Sequence, residues 1–592
     1  MKKLLKYKHN LINLFILSLL AIGLYFVGKS TINIYLRVII GLILGGFFIR
    51  VFLNFKDVFL KIKENYGDMA ARLFKEAIQK INSVFIGFYG LSFILSADVS
   101  EYLSYFPFDE FSFVTVGLFR SFVELMIGFI FIVAARLSLA RQKKFVNILY
   151  PTLIFTGIYL CLLGEPLISL LPLAIITLTT HVTRDILIKE SFIYSIEEIS
   201  IDLLFGVFWL IIYFKNTFTT RPLTNFPLVY KSLFFALTFA AMALSLRLIL
   251  LYMKGKESFF EKPNLDEYRE FLENNNKNSS TAAGLGLLGD KYIYYYEKED
   301  EKVLAFIYQI VNNKIIVMGE PVGKKEFLEK GLNDFINKCR ILSLNPIFYE
   351  VGRNFTLLLH DYGFDFMKFG ENALLDLEGF SLAGRKKSSL RNILNRFDKD
   401  GYEFKIVSPP LDSYTLDRLE EISNIWLKGR EEKGFSMGFF DRDYLNMSEI
   451  GLVLDKDGEI TAFTSLMPNY DEKILTIDLM RYDLDMKANS MMDYLFLNLF
   501  IYAKDKGYKY FNLGMAPLSN VGIYKSAYLS ERIASFIFKY ADSLYPFKGL
   551  RNYKSKYATK WKARYTCFGK GNFIITSIFA IMAADKGKIK ED

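Results

Sequence analysis

Three stretches of the sequence concentrate side chains able to bind anions, hold a cation or stabilise developing charge. In TIDLMRYDLDMKANSMMDYLF, Asp478 stands inside an apolar, strand-like run and is followed by Arg481, Asp483, Asp485 and Asp493. A carboxylate in such surroundings is either paired or functional, because an unpaired buried charge is costly. Asp478 is therefore expected to serve a binding site or to form a buried ion pair with Arg481. The second stretch, GRKKSSLRNILNRFDKDGYEFK, reads as a helix carrying Arg385, Lys386, Lys387, Arg391 and Arg396. Arg385, Lys386 and Lys387 fall near its start, where backbone N–H groups also attract anions, so phosphate is the expected ligand. A solvated basic helix is the plain alternative.

The third begins at FNLGMAPLSNVG, Phe511 to Gly522, a strand running into a glycine and proline turn. It continues at FKGLRNYKSKYATKWKARYTCFGK, Phe547 to Lys570, which holds eight basic residues and no acidic one. Tyr553, Tyr557, Trp561 and Tyr565 are interleaved among them. Basic groups grip phosphates while aromatic rings stack on unpaired bases. The same mixture suits an anionic membrane surface, and the apolar GNFIITSIFAIMAA follows directly.

Other chemistries find no support. There is no Walker loop, GxGxxG turn after a strand, GxSxG elbow or zinc signature. Cys161, Cys339 and Cys567 lie far apart without CxxC spacing, and His9, His181 and His360 are equally scattered. Neither a disulfide framework nor a metal cluster is expected, no cofactor is implied, and a reducing cytoplasm fits.

The elements that position these stretches fall into two halves. At 592 residues, 52% hydrophobic, the chain is too apolar for a wholly soluble protein, and its net charge of +10 favours anionic partners. The first half contains apolar runs close to the ~20 residues that cross a bilayer as helix. Eight spans are expected: Leu11 to Val27, Ile32 to Phe52, Ser83 to Ala97, Phe113 to Ala135, Val146 to Leu163, Leu167 to Val182, Ile201 to Phe214 and Ser232 to Tyr252. Loops rich in Lys and Arg stay in the cytoplasm. Such residues precede the first span, follow the second, including Arg72, Lys75 and Lys80, and follow the fourth. Both termini are therefore expected in the cytoplasm. Arg120 and Glu124, four apart within the fourth span, are expected to form an ion pair or to handle lipid headgroups.

The resulting organisation is a helical membrane domain over 1–254, a linker with a short helix over 255–280, an α+β domain over 281–570, and an apolar segment with a charged tail over 571–592. Strand-like runs such as KYIYYYE, KVLAFIYQI and KIIVMG precede the helical EFLEKGLNDFINKCRIL. GLVLD, EITAFTSLM and KILTIDLMRY repeat the theme ahead of MMDYLFLNLFIYAKDKG, which argues for two similar lobes.

From Gly289 to Phe568 the chain resembles the phosphatidylglycerol lysyltransferase, or multiple peptide resistance factor, family. The resemblance rests on GEPVG, FINKCRILSLNPIFYEV, GRKKSSLRNILNR, EKGFSMGFFDRDYL, DLMRY, FNLGMAPLS and FKGLRNYKSKY in that order. It implies two tandem acetyltransferase-like (GNAT) lobes after a multi-pass cell-membrane domain, with the catalytic domain cytoplasmic. It implies aminoacyl-tRNA, chiefly lysyl-tRNA, as donor and phosphatidylglycerol in the bilayer as acceptor. Asp478 and Arg481 inherit a substrate-site assignment, with Asp478 suited to the ammonium of lysine. Lys548, Arg551 and Lys554 inherit a donor- or lipid-phosphate assignment, and Lys548 or Arg564 is suited to charge developing at the carbonyl oxygen. Arg385, Lys386, Lys387 and Arg391 complete the expected tRNA or lipid phosphate site. A lipid flippase with a regulatory soluble half, or an aminoacyltransferase acting on a peptidoglycan precursor, are the alternatives.

Overall fold

The computed structural model describes residues 71–94, 110–193, 228–253, 262–275, 283–467, 473–485, 490–540, 547–569 and 574–586, with a few isolated positions besides. The chain divides into two compact units, Met1–Ile188 with Leu223–Leu246, and Lys189–Pro222 with Arg247–Asp592.

The first unit is helical. Its described helices are α1 (Ala71–Ile94), α2 (Glu110–Leu139), α3 (Val146–Leu162) and α4 (Leu171–Val182). A further helix, α5 (Leu228–Met253), begins in it. Four helices among the described residues are long and apolar enough to cross a membrane, within Ala71–Ile94, Phe122–Leu139, Lys143–Leu162 and Ala236–Met253; Leu167–Val182 is shorter. The spans expected at Leu11 to Val27, Ile32 to Phe52 and most of Ile201 to Phe214 lie outside the described residues.

One expectation is corrected. Arg72, Lys75 and Lys80, assigned to a loop, lie in α1, which begins twelve residues before the expected Ser83. Arg72 and Arg141 both reach Glu76, at 4.0 and 3.1 Å, so a charged first turn extends the apolar helix. At the α1–α2 crossing, a Cβ on Gly90 would come within 2.7 Å of the Gly128 carbonyl, so only glycine allows this approach. Arg120 and Glu124 pair at 3.0 Å, and the Tyr159 hydroxyl donates to the same carboxylate at 3.1 Å.

The second unit is built on a sheet of twelve strands. The first six are β1 (Tyr292–Lys298), β2 (Glu301–Val311), β3 (Lys314–Met318), β4 (Val322–Gly323), β5 (Asn345–Val351) and β6 (Phe364–Asp376). The others are β7 (Glu403–Val407), β8 (Ile450–Leu454), β9 (Ile460–Leu466), β10 (Ile474–Tyr482), β11 (Tyr510–Pro517) and β12 (Lys560–Gly569). The helices are α6 (Leu265–Asn274), α7 (Leu328–Ile341), α8 (Arg353–Asp361), α9 (Ser388–Lys399), α10 (Ser413–Leu427), α11 (Arg442–Leu445), α12 (Met491–Asp505), α13 (Leu529–Tyr540), α14 (Phe547–Ser555) and α15 (Ile574–Ala584).

The strand order, β1-β2-β3-β5-β12-β6-β11-β10-β9-β8-β7 with β4 on β2, shows that the two expected lobes are interlocked. In each half, antiparallel strands lead to one parallel pair, β3 with β5 and β10 with β11. A parallel pair requires a crossover, supplied by α7 in one half and α12 in the other. Each half then takes its next strand from the other: β12 lies beside β5, and β6 lies beside β11. The repeat is therefore closed by exchange of its last strands, with the β6–β12 pair at the centre.

Apolar burial holds the arrangement. The α7 face buries Leu332, Phe335, Ile336 and Cys339, and Phe335 stacks on Phe306 with centroids 4.4 Å apart. On the other half, Phe496 and Phe500 of α12 pack against Phe511. Two segments expected outside the α+β domain contribute to its core. Tyr268 and Leu272 of α6 share a cluster with Ala305, Ile307 and Ile316, as do Ala580, Ile581 and Ala584 of α15. The apolar segment after residue 570 is thus a core helix of this unit.

Candidate functional site

The middle of the sheet is irregular in its backbone. The parallel β3–β5 pairing ends at Met318 opposite Tyr349, and the next residue, Glu350, adopts φ +61°. In the other half, β10–β11 pairing ends at Thr476 opposite Asn512, and Gly514 follows at φ +80°. A left-handed backbone is unremarkable for glycine but strained for glutamate, and such strain concentrates at functional sites. Register shifts between Arg564 and Tyr565 and between Asn512 and Met515 interrupt the strands that separate these points.

Side chains from both halves collect here. Lys554, near the end of α14, is buried and donates to the Met515 carbonyl at 2.8 Å. Burial pushes its ammonium down to about 8, against the opposing pull of Glu350. Glu350 is half-buried and accepts no hydrogen bond from a described residue; burial raises its carboxyl, while Arg564 and Lys554 draw it back. Arg564, half-buried on β12, leaves its Nε buried without a partner. Its guanidinium lies beside Gly352, whose N–H donates to Glu320 at 3.1 Å. The cluster thus contains a carboxylate, an amine of lowered basicity and a guanidinium with spare donors.

Arg551 stands on the same helix as Lys554 but is occupied. It pairs with Glu371 at 2.7 Å and lies over the Trp561 ring at 4.2 Å. Glu371 also receives Lys368 and Asn520; burial alone would raise its carboxyl, but these bonds hold it low. The expected stacking surface of Phe547 to Lys570 is corrected by this packing. Tyr557 is buried and Tyr553 packs with it in the α12 cluster, Trp561 is covered by Arg551, and Tyr565 meets Phe366. These aromatics build α14 and the central strand β12. The side chain of Lys548 lies outside the described residues.

A second assembly surrounds Asp478. Its Oδ1 accepts the Gly438 N–H and its Oδ2 the Tyr444 hydroxyl, both at 2.9 Å. The ion pair with Arg481, one of the two expectations, does not form, because both Asp478 oxygens are already bonded. Arg481 instead meets both oxygens of Glu432 at 2.8 Å, donates to Ser423 and lies 5.3 Å from the Trp426 ring. Glu432 begins a loop that four carboxylates grip by its backbone. Asp290 accepts the Phe435 N–H at 2.7 Å, Asp585 the Ser436 N–H at 3.3 Å, Asp478 that of Gly438, and Glu432 that of Phe440 at 3.3 Å. Burial raises the carboxyls of Asp478 and Asp585 and lowers the ammonium of the fully buried Lys291, which bridges Asp290 and the Leu285 carbonyl. No room exists for a side chain at 438, where a Cβ would collide with the Asp478 carboxylate.

The basic stretch is only partly paired. Arg385 and Lys386 are exposed and Lys387 half-buried in a single 3-10 turn that leads into α9, and none pairs with a carboxylate among the described residues. Arg391 is used internally, donating to the carbonyls of Leu382 and Gly384. Glu350, Glu432, Gly438 and Tyr444 lie within motifs that carry the family resemblance, but none was expected as a site residue. The available signal for Glu350 was a carboxylate ending the apolar run NPIFYEV, the same pattern that had marked Asp478.

Residues 269–568 match the family described as phosphatidylglycerol lysyltransferase, C-terminal. A phosphatidylglycerol lysyltransferase of Bacillus subtilis strain 168 is 38% identical over 341 residues, covering 58% of this chain and 39% of that protein. One from Staphylococcus xylosus is 32% identical over 422 residues, covering 70% of this chain and 49% of that protein. The solved L-PGS of Bacillus licheniformis is 34% identical, covers 56% of this chain and 99% of its own, and superposes with a TM-score of 0.49. The chain thus spans between about two fifths and one half of the length of these two curated relatives. With half of its residues matched continuously, across both interlocked lobes, the chain belongs to the phosphatidylglycerol lysyltransferase C-terminal family.

Proposed function

We propose that the chain transfers an amino acid, lysine foremost, from aminoacyl-tRNA to phosphatidylglycerol. The observation that carries this is the Glu350–Lys554–Arg564 cluster, where groups of both halves meet at the break in the sheet. Ester-to-ester transfer needs no redox group and no nucleotide. A glycerol hydroxyl attacks the carbonyl joining the amino acid to the tRNA 3′ end, the ester bond to the ribose breaks, and one proton passes from the glycerol to the ribose oxygen. Lys554, with its ammonium near 8, is neutral often enough to carry that proton. Half-buried Arg564, whose guanidinium makes no hydrogen bond to a described residue, suits the lipid phosphate or charge developing on the carbonyl oxygen. Glu350 is the carboxylate with lone pairs to spare for a substrate ammonium.

Asp478 and Arg481 then act as positioning residues through the 432–440 loop, and Arg385, Lys386 and Lys387 are left to meet tRNA phosphates. The apolar helices fit a multi-pass anchor in the cell membrane, with the catalytic unit in the cytoplasm, where charged tRNA is found. Confining the enzyme to the bilayer raises the effective concentration of a lipid acceptor. Lysylation would lower the negative charge of the membrane surface.

The test is reconstitution of the full chain in phosphatidylglycerol vesicles with lysyl-tRNA or alanyl-tRNA, followed by lipid mass spectrometry. Lysyl-phosphatidylglycerol is the expected product. Consumption of neither charged tRNA would overturn the proposal, while transfer from alanyl-tRNA alone would overturn the choice of lysine.

A further inference from the structure

Beyond β11 the chain carries a surface with no role in the cluster described above. Leu518, Ser519 and Val521 are buried and anchor the segment. Gly522, at φ +60°, then turns it so tightly that a Cβ would collide with the Glu531 carbonyl. Residues 523–530 are thereby closed into a loop, braced by the Ala527 N–H on the Tyr524 carbonyl at 3.1 Å and the Arg532 N–H on Tyr528 at 3.0 Å. This ordered loop and the start of α13 turn Ile523, Tyr524, Tyr528, Leu529 and Ile533 outward, with exposures between 41 and 81%. Leu529 and Ile533 are four apart and share a helix face. Lys525 and Arg532 are exposed among them, and Glu531 is the one acidic residue from 523 to 540.

We infer that residues 523–533 form a docking edge that inserts into the headgroup region of an anionic bilayer. A concentrated set of large apolar side chains on a braced loop is a surface built to be covered. Its composition selects the cover. Tyrosines favour the membrane–water interface, leucine and isoleucine the acyl boundary just beneath, and lysine and arginine the anionic headgroups. A second copy of the chain, with the same +10 charge and the same basic flank, meets like charge at this edge.

The edge is also joined to the candidate site. Asn520, three residues before Ile523, donates to Glu371 at 2.9 Å, and its carbonyl accepts Lys368 at 3.3 Å. Glu371 holds Arg551, on the helix that carries Lys554. Docking therefore places lipid headgroups beside the cluster, and in that respect the inference rests on a lipid being the acceptor.

The test uses the full chain carrying Leu529→Trp, reconstituted in phosphatidylglycerol vesicles with or without brominated acyl chains, and in phosphatidylcholine vesicles. Relative to the unsubstituted chain, the added tryptophan should fluoresce at shorter wavelength and be quenched at least twofold by the brominated lipid, more strongly in phosphatidylglycerol. Water-like emission without quenching overturns the inference. A short-wavelength shift without quenching overturns it too, since it places the residue against protein. This readout needs no turnover, so it stands even if no lipid is lysylated. Where turnover is present, Leu529→Glu with Ile533→Glu should raise KM for vesicle phosphatidylglycerol at least fivefold and leave KM for the charged tRNA unchanged; unaltered lipid KM counts against docking.

Discussion

Arg481 and Glu432 meet as a two-pronged pair, nitrogen to oxygen at 2.8 Å on both sides, and the same carboxylate accepts the Phe440 N–H. A strand is thereby tied to both ends of the 432–440 loop. Removing either partner leaves the other with a largely buried, unmatched charge, so Arg481→Met or Glu432→Ala should each cost about 3 kcal/mol of stability. The double variant should cost less than the sum, as measured by urea unfolding of each variant in a common detergent.

Asp478 is bonded on both oxygens within the protein. Asp478→Ala strands the Gly438 N–H and the Tyr444 hydroxyl, a loss of about 1–3 kcal/mol. Asp478→Asn keeps an acceptor for one of them and should unfold at higher denaturant than the alanine variant. Equal stability of the two would contradict the loop-holding role.

Gly438→Ala offers a backbone-level check of the same contact. Its methyl would occupy the space of the Asp478 carboxylate, so the loop must move. The expected result is a loss of transfer of at least about tenfold, the consequence of misplacing groups near a reacting centre by an ångström or so. Circular dichroism should show the sheet retained.

Lys554→Met should lower transfer by about 10²–10⁴-fold if the amine moves a proton. The wild-type rate should climb with pH and level off above about 8, because the neutral amine is the active form. The stability consequence has a definite sign. With the folded ammonium at about 8 against an ordinary 10.5, the unfolded chain binds more protons between those values, so Lys554 makes stability rise with pH across that window. Lys554→Met should remove that rise without lowering the melting temperature at pH 7. A pH-independent wild-type rate would exclude Lys554 from proton transfer.

Glu350→Gln removes charge while keeping size. Transfer of lysine should fall at least about tenfold relative to any transfer of alanine, since only lysine presents a side-chain ammonium to a desolvated carboxylate. In the basic turn, Arg385→Ala with Lys386→Ala and Lys387→Ala should weaken tRNA binding and flatten its logarithmic salt dependence by about 0.7–0.9 for each phosphate no longer neutralised. Arg391→Ala should instead loosen the Gly384 turn, where that side chain is spent on two carbonyls.

Much of the local structure was legible because it depends on periodicity. The strand-like runs KVLAFIYQI and KILTIDLMRY became β2 and β10, and EFLEKGLNDFINKCRIL became α7, within a few residues at each end. Apolar length alone marked the helices now seen at Val146–Leu162 and Leu228–Met253. What misled was a segment whose local composition and tertiary role differ. FKGLRNYKSKYATKWKARYTCFGK looked like an exposed basic and aromatic surface, yet it supplies the strand between β5 and β6.

By itself, the sequence determined many of the helix and strand stretches, that a membrane half precedes an α+β half, and that the latter repeats a theme. Hydrophobic spacing along the chain suffices for that. Only the tertiary structure decided that the halves exchange their last strands, that Arg481 belongs to Glu432 rather than Asp478, and that Glu350, Lys554 and Arg564 stand together. Those pairings join residues as much as about 210 positions apart, and no local pattern encodes a partner so distant along the chain.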